Sequence, residues 1–265
     1  MTEPKKLFLI DVSAYFYRAF FALPPLSTAE GLPTNAIYGF TAMLQRLLRE
    51  QKPSCMAAVL DCPEPTFRHE VYSEYKANRP KMPDNLAAQI PYIKDIIRAF
   101  NIAAVEKPGY EADDVIGTLA RQAEQDGLEV VIVSGDKEMC QLVSPQVTLL
   151  DTMRNAATDR EAVKEKYGVG PEHMVEIFGL IGDKSDNVPG VPGIGEKTAA
   201  GLIQQFGSLE GIYAGLEGIT RKKVKELLQQ YQEQAFLSRR LVTIDTQVPL
   251  DKAWRDFSVV LPDDE

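Results

Sequence analysis

Nine acidic residues stand where short apolar runs end or turns begin: Asp11, Asp61, Glu111, Asp113, Asp114, Asp136, Glu138, Asp183 and Asp186. Carboxylates brought together repel one another unless cations neutralise them. Hard oxygen donors with no His or Cys beside them suit Mg²⁺, with Mn²⁺ as its substitute, rather than zinc. His69 and His173 lie in unrelated segments, which fits that choice. Each acid also has a plainer use. An Asp at a strand–helix junction serves as a helix N-cap, Glu111, Asp113 and Asp114 suit a helix dipole, and Asp183 and Asp186 suit a turn. What favours metal is the convergence of nine acids on one edge.

The formal charge of −9 speaks, at face value, against a nucleic-acid partner. Its distribution changes that reading. Of 38 acids, the 29 outside the set of nine equal the 29 Lys and Arg, so the rest of the chain is neutral. Within it, residues 66–81 interleave Arg68, Lys76, Arg79 and Lys81 with Phe67, Tyr72 and Tyr75. Cations can meet phosphates while rings stack on bases, as in single-strand binding; an amphipathic helix is the bland alternative. A second basic set, Arg221, Lys222, Lys223 and Lys225, reads first as a solvated face, and second as a track for a duplex backbone.

The glycine-rich stretch Gly190-Val191-Pro192-Gly193-Ile194-Gly195-Glu196-Lys197-Thr198 nearly spells a phosphate-binding P-loop. Glu196 intrudes before Lys197, however, and puts a negative charge in the phosphate cradle; no strand precedes it either. A tight hairpin before a helix starting near Lys197 fits better. Its backbone N–H groups can face a DNA phosphate, as in a helix–hairpin–helix element.

The acids need elements to position them. Apolar runs at Lys6–Ile10, Met56–Leu60, Ile102–Val105, Val130–Val133 and Val147–Leu150 read as strands. Between them Ile37, Phe40, Leu44 and Leu47, then Leu86, Ile90, Ile93, Ile97 and Phe100, then Val115, Ile116, Leu119 and Ala123 recur at helical spacing. Alternation of this kind predicts an α/β fold with a mostly parallel sheet flanked by helices. Ligands in such sheets bind beyond the carboxyl ends of the strands, where the acids lie. Past about residue 160 the strand signal fades, and a helical second domain is expected from a boundary near 172. No internal repeat is read, and the chain ends in an acidic stretch, Leu261–Glu265. There is no span of ~18 apolar residues, and the short apolar stretch that runs into Asp11 is not expected to act as a secretory leader. Cys55, Cys62 and Cys140 are odd in number and lack metal-binding spacing, as reduced thiols would be.

The segments LIDVSAYFYRAFFALPPL, AVLDCPEPTFRHEVYSEYKANRP, PGYEADDVIGTLA, VSGDKEMCQLV and GDKSDNVPGVPGIGEKTA together resemble the 5′ nuclease family of flap endonuclease-like proteins. The likeness is in particular to the N-terminal 5′→3′ exonuclease domain of bacterial DNA polymerase I. It implies a PIN-like α/β catalytic domain over 1–171, a helical arch at about 65–85, and a helical domain over 172–265. That second domain would carry a helix–hairpin–helix (helix-3-turn-helix) motif at about 179–206. The resemblance further implies two metal sites: Asp11, Asp61, Glu111 and Asp113 around the first, and Asp136, Glu138, Asp183 and Asp186 around the second. Asp114 matches an outer acid. Glu138 departs from the family's usual Asp by one methylene.

By the same resemblance, Lys76 and Arg79 contact the scissile phosphate and Tyr75 stacks on a base. Arg68 and Lys81 join them on DNA. Gly190, Gly193, Gly195, Lys197 and Thr198 grip the duplex backbone, with a K⁺ ion at the hairpin. The implied activity is 5′→3′ exonuclease and 5′ flap endonuclease cleavage of DNA in replication and repair. The implied substrate has a free 5′ end or flap beside a duplex, with RNA–DNA primer junctions as relatives. The setting would be the bacterial cytoplasm at the nucleoid, with the chain either monomeric or fused to a polymerase.

Overall fold

The computed structural model describes residues 6–259; the acidic stretch Leu261–Glu265 lies outside them. In chain order, β1 (Lys6–Asp11) leads into α1 (Val12–Ala22) and α2 (Asn35–Gln51). Then come β2 (Cys55–Val59), the short α3 (Phe67–Val71) and α4 (Asp84–Ala87), α5 (Ile90–Ala99), β3 (Ala103–Val105) and α6 (Ala112–Gln125). β4 (Glu129–Val133), β5 (Val147–Asp151) and β6 (Ala156–Thr158) complete the sheet. The helices α7 (Arg160–Tyr167), α8 (Met174–Ile181), α9 (Glu196–Phe206), α10 (Leu209–Ala214), α11 (Lys222–Gln230) and α12 (Gln232–Val242) follow.

The sheet order is β3-β2-β1-β4-β5-β6, parallel throughout except for β6, which runs against β5 at the edge. All five apolar runs are strands. β1 shows why such a run has no polar alternation: Phe8 and Ile10 pack against α1, α2 and α5, while Leu7 and Leu9 pack against α6 on the other face. A parallel sheet covered on both faces requires apolar residues at every position. β6 is three residues, Ala156–Thr158, with both alanines exposed, and left no periodic trace in the sequence.

The helical C-terminal region is not a separate globule. Phe178, Ile203, Leu228 and Leu241 belong to the same buried cluster as Leu7, Leu9 and Ile116. That shared core fixes the α8–α9 hairpin against the parallel sheet.

The expected arch at 65–85 is mostly not helical. α3 spans five residues, 73–78 run through consecutive turns, and Pro80 and Pro83 prevent a helix from continuing. The turns are pinned instead to the loop after α8. The Lys76 N–H donates to the Asp186 carbonyl (2.9 Å), Asn78 Nδ2 to the Lys184 carbonyl (2.7 Å) and Asn187 Nδ2 to the Glu74 carbonyl (2.6 Å).

Candidate metal and nucleic-acid site

In the strand order, β1 stands where connections diverge, to β2 on one side and β4 on the other. The crevice beyond that switch point is the natural ligand site of an open parallel sheet. Asp11 closes β1 beside the end of β4, and the Ser134 hydroxyl donates to it (Oγ to Oδ2, 2.8 Å). Asp11 is also the N-cap of α1, accepting from the Ala14 N–H at 3.0 Å, so both of its sequence readings are true together. Asp61, just past β2, accepts from the Ala112 N–H (2.9 Å), which ties it to the start of α6. Glu111 caps α6 and Asp113 lies in its first turn. Asp136 follows β4 and accepts from the Glu138 N–H (2.8 Å).

Asp11, Asp61, Glu111, Asp113, Asp136 and Asp186 line one cavity of about 330 Å³. Asp186 reaches it from the loop after α8, whereas Asp183 of the same loop lines an adjacent cavity with Lys137. That loop is pinched shut by two glycines at positive φ. A Cβ on Gly182 (φ +70°) would lie 2.3 Å from the Val188 carbonyl oxygen, and one on Gly190 (φ +61°) would lie 2.4 Å from the Gly182 nitrogen. Only glycine permits this approach.

Cations already answer part of the negative charge. Lys76 Nζ lies 2.6 Å from Glu111 and 3.5 Å from Asp186, Arg79 pairs with Asp186, and Lys137 Nζ lies 2.8 Å from Asp183. Burial opposes the Lys76 charge, but Glu111 and Asp186 outweigh it and hold the ammonium above its ordinary range. Lys76 reaches this position with φ +57°, a left-handed backbone unusual for lysine. Asp183 is held below the usual carboxylate range: burial raises it, yet Lys137 and Ser185 prevail.

Among the described residues no lysine or arginine ion-pairs with Asp11, Asp113, Asp136 or Glu138. Burial, reinforced by Asp61 and Asp136, pushes Asp11 up to about 7 despite its two hydrogen bonds. Burial and then Asp136 push Asp113 and Glu138 well up, and Asp136 rises with them. Four mutually repelling carboxylates, none ion-paired among the described residues, form a donor set that fits hard divalent cations. Among the described residues, no three such side chains are gathered as a finished ligand set. Asp11, Asp113 and Asp136 line the cavity walls, and Glu138 stands behind them, outside the lining.

Several expected contacts are corrected by burial. Arg68 is 2% exposed, and its guanidinium bonds both oxygens of Asp114 (2.7 Å each) and the carbonyls of Leu241 (2.8 Å) and Thr243 (2.9 Å). Four of its five N–H groups are spent there and the fifth faces Glu111, so it is held in the core rather than offered to a phosphate. Asp114, fully buried, spends its oxygens on Arg68 and on the N–H groups of Glu111 and Asp245, so it ligates no metal. The Tyr75 ring lies in the core, and its hydroxyl donates towards Glu111 and Asp186 (3.1 Å each), so it stacks on no base. Gly190 is buried as well, its N–H on Ser238 Oγ (2.9 Å) and its carbonyl on Gln234 (2.5 Å). By contrast Lys81, Gly193, Gly195 and Lys197 are exposed, and Thr198 is partly so.

Residues the sequence reading passed over also belong here. Ser134 and Lys137 sit beside Asp136 at a strand end, so the logic that found the acids extends to them. Ser13 and Tyr17, on α1, join Asp61, Lys76, Arg79 and Glu111 in lining both the acidic cavity and a neighbouring one of about 550 Å³. Nothing in the spacing marks them.

Comparison with known proteins matches the chain to two family models. Residues 6–168 match the 5′-3′ exonuclease N-terminal resolvase-like domain, and residues 169–265 match the 5′-3′ exonuclease C-terminal SAM fold. The chain belongs to the 5′-3′ exonuclease family. The chain is 42% identical over 259 residues to the 5′-3′ exonuclease of Aquifex aeolicus, covering 98% of the chain and 88% of that protein. It is 49% identical over 259 residues to DNA polymerase I of Bacillus caldotenax, covering 96% of the chain but only 29% of the polymerase. In fold it resembles T5 5′-exonuclease with bound zinc (TM-score 0.78, 21% identity, 91% and 90% of the two chains). It also resembles the catalytic core of Rad2 in complex with DNA substrate (TM-score 0.66, 17% identity, 98% and 84%). No helix among the described residues is long and apolar enough to cross a membrane.

Proposed function

We propose that this chain is a structure-specific 5′→3′ exonuclease and 5′ flap endonuclease. It hydrolyses DNA phosphodiesters beside a duplex and leaves 5′-phosphorylated products, in the removal of primers and flaps. The observation that carries this reading is the acidic cavity at the sheet's switch point, with Lys76 and Arg79 at its rim. Its fold neighbours include a T5 D15 flap endonuclease pseudo-enzyme-product complex with DNA and metal ions. The reading covers the nuclease region, alone or as the front of a polymerase polypeptide.

Asp11, Asp61, Glu111 and Asp113 would hold one Mg²⁺, and Asp136, Glu138, Asp183 and Asp186 a second. When bound, the two ions supply an activated water and charge stabilisation at the leaving 3′ oxygen. The chain's own residues do the rest. Lys76 and Arg79 offset the charge that builds on the phosphate, exchanging their carboxylate partners for it. Ser134 and the Ala14 N–H orient Asp11, and the Ala112 N–H orients Asp61. The hairpin Gly193–Thr198 grips the duplex through exposed backbone and Lys197, with K⁺ as its companion ion.

The test compares a 5′-labelled flap on a duplex with the same strand unpaired, in Mg²⁺. Cutting near the junction that leaves a 5′-phosphate on the retained strand supports the reading. Equal cutting of the unpaired strand contradicts it.

A further inference from the structure

The basic set Arg221–Lys225 has no role in the site above, and its setting in the fold gives it one. Gly190, Gly193, Ile194, Lys197, Leu202, Gln204 and Gln205 recur, each 25 positions later, as Gly215, Gly218, Ile219, Lys222, Leu227, Gln229 and Gln230. Ile203 and Phe206 recur as Leu228 and Tyr231. The sequence therefore does hold a short internal repeat, hidden because the positions between the matched ones differ in residue type and charge.

The backbone follows the repeat. The Ile194 N–H donates to the Val191 carbonyl (3.0 Å), and the Ile219 N–H donates to the Leu216 carbonyl (3.1 Å), 25 residues on in both partners. Ile194 and Ile219 are both buried at the hairpin tips, and α9 and α11 follow them. Packing is exchanged between the copies. The Cβ position of Gly193 meets Leu227 at 3.1 Å, and that of Gly218 meets the Phe206 ring at 3.8 Å. Thr198 and Leu202 of the first copy and Thr220 and Arg221 of the second share one cavity of about 310 Å³, so the two tips open on the same side.

The copies differ in charge. Where the first has Gly195, Glu196 and Thr198, the second has Thr220, Arg221 and Lys223, and Thr220, Arg221, Lys222 and Lys223 are all exposed. Lys222 has only a loose partner, Glu226 at 3.8 Å. The first tip is electrically balanced and the second is cationic. The geometry points to a second duplex grip: the 215–223 hairpin, through Arg221, Lys222 and Lys223, holds phosphates of the same DNA duplex that the 190–198 hairpin holds. The inference rests on the duplex-binding part of the reading above. A polyanion backbone is the partner that fits, because the surface offers three adjacent exposed cations with a hydroxyl beside them, the groups that contact phosphates.

The test measures duplex binding in EDTA by anisotropy across a range of salt, for wild type, R221A/K222A/K223A, Arg221→Glu and Lys197→Ala. Thermal melts of each variant guard against unfolding. Each phosphate left without its cation should lower the salt slope by about 0.9, so the triple variant should lose about 2–3 in slope. Its affinity should fall at least tenfold near 0.1 M salt, and Arg221→Glu, which restores the first copy's acidic position, should also weaken binding. If Lys197→Ala weakens binding and the triple variant binds as wild type, the second grip is overturned while the first stands. If neither weakens it, the duplex-binding reading fails with it.

Discussion

Arg68 and Asp114 form a two-pronged ion pair, Nη1 to Oδ2 and Nη2 to Oδ1 at 2.7 Å each, with neither side chain more than 3% exposed. The same guanidinium bonds the carbonyls that end α12, so one residue joins α3, α6 and the C-terminal region. Removing one partner strands a buried charge. Arg68→Ala should cost about 3–5 kcal/mol in urea unfolding, and Arg68→Met with Asp114→Leu should cost less than either single change. A loss below about 1 kcal/mol for Arg68→Ala would mean that the pair does not hold these elements together.

Most of this architecture was legible in the sequence, for identifiable reasons. Strands buried on both faces, such as Lys6–Asp11, write themselves as unbroken apolar runs, and acids that close them fall on one edge by topology alone. What stayed hidden depends on tertiary neighbours. Arg68 and Tyr75 look like nucleic-acid contacts among other cations and rings, yet Asp114, Glu111 and Asp186 draw them inward. The arch gave way to turns because Asp186 and Lys184 offer carbonyls to Lys76 and Asn78. β6 is too short to carry a period.

The Gly182–Gly190 contact sets the loop that presents Asp183 and Asp186. Gly190→Ala has no space for its Cβ and is strained at φ +61° besides. It should cost more than ~1 kcal/mol in stability and slow cleavage more than Gly201→Ala, whose Cβ position is open. Equal effects of the two substitutions would show that the pinch is not needed.

Lys76 competes with added cations for Glu111 in the absence of substrate. Lys76→Ala should therefore lower kcat about 100-fold while leaving Mg²⁺ binding, followed by calorimetry, as tight as wild type or tighter. A rise in KM with kcat intact would make Lys76 a binding residue only.

Asp11, with its pKa raised from 3.8 to about 7, binds a proton more readily folded than unfolded. The folded state then holds the extra proton between these values, so stability of the metal-free protein should fall as pH rises from about 4 to 7. Divalent cations must displace that proton, so Mg²⁺ should raise Tm more at pH 8 than at pH 6. Scanning calorimetry at both pH values, with and without Mg²⁺, reads this directly; an equal rise at both would contradict it.

The most direct test of the acidic cavity as a nuclease centre is cleavage of a 5′-labelled flap by wild type and Asp113→Asn, in Mg²⁺ and in EDTA, with flap binding measured in parallel. Wild type should cut near the junction only with Mg²⁺. The variant should bind the flap but cut at least about 100-fold more slowly, the loss of a few kcal/mol of transition-state stabilisation. Wild-type cutting in EDTA, or an Asp113→Asn variant as fast as wild type, would contradict the account.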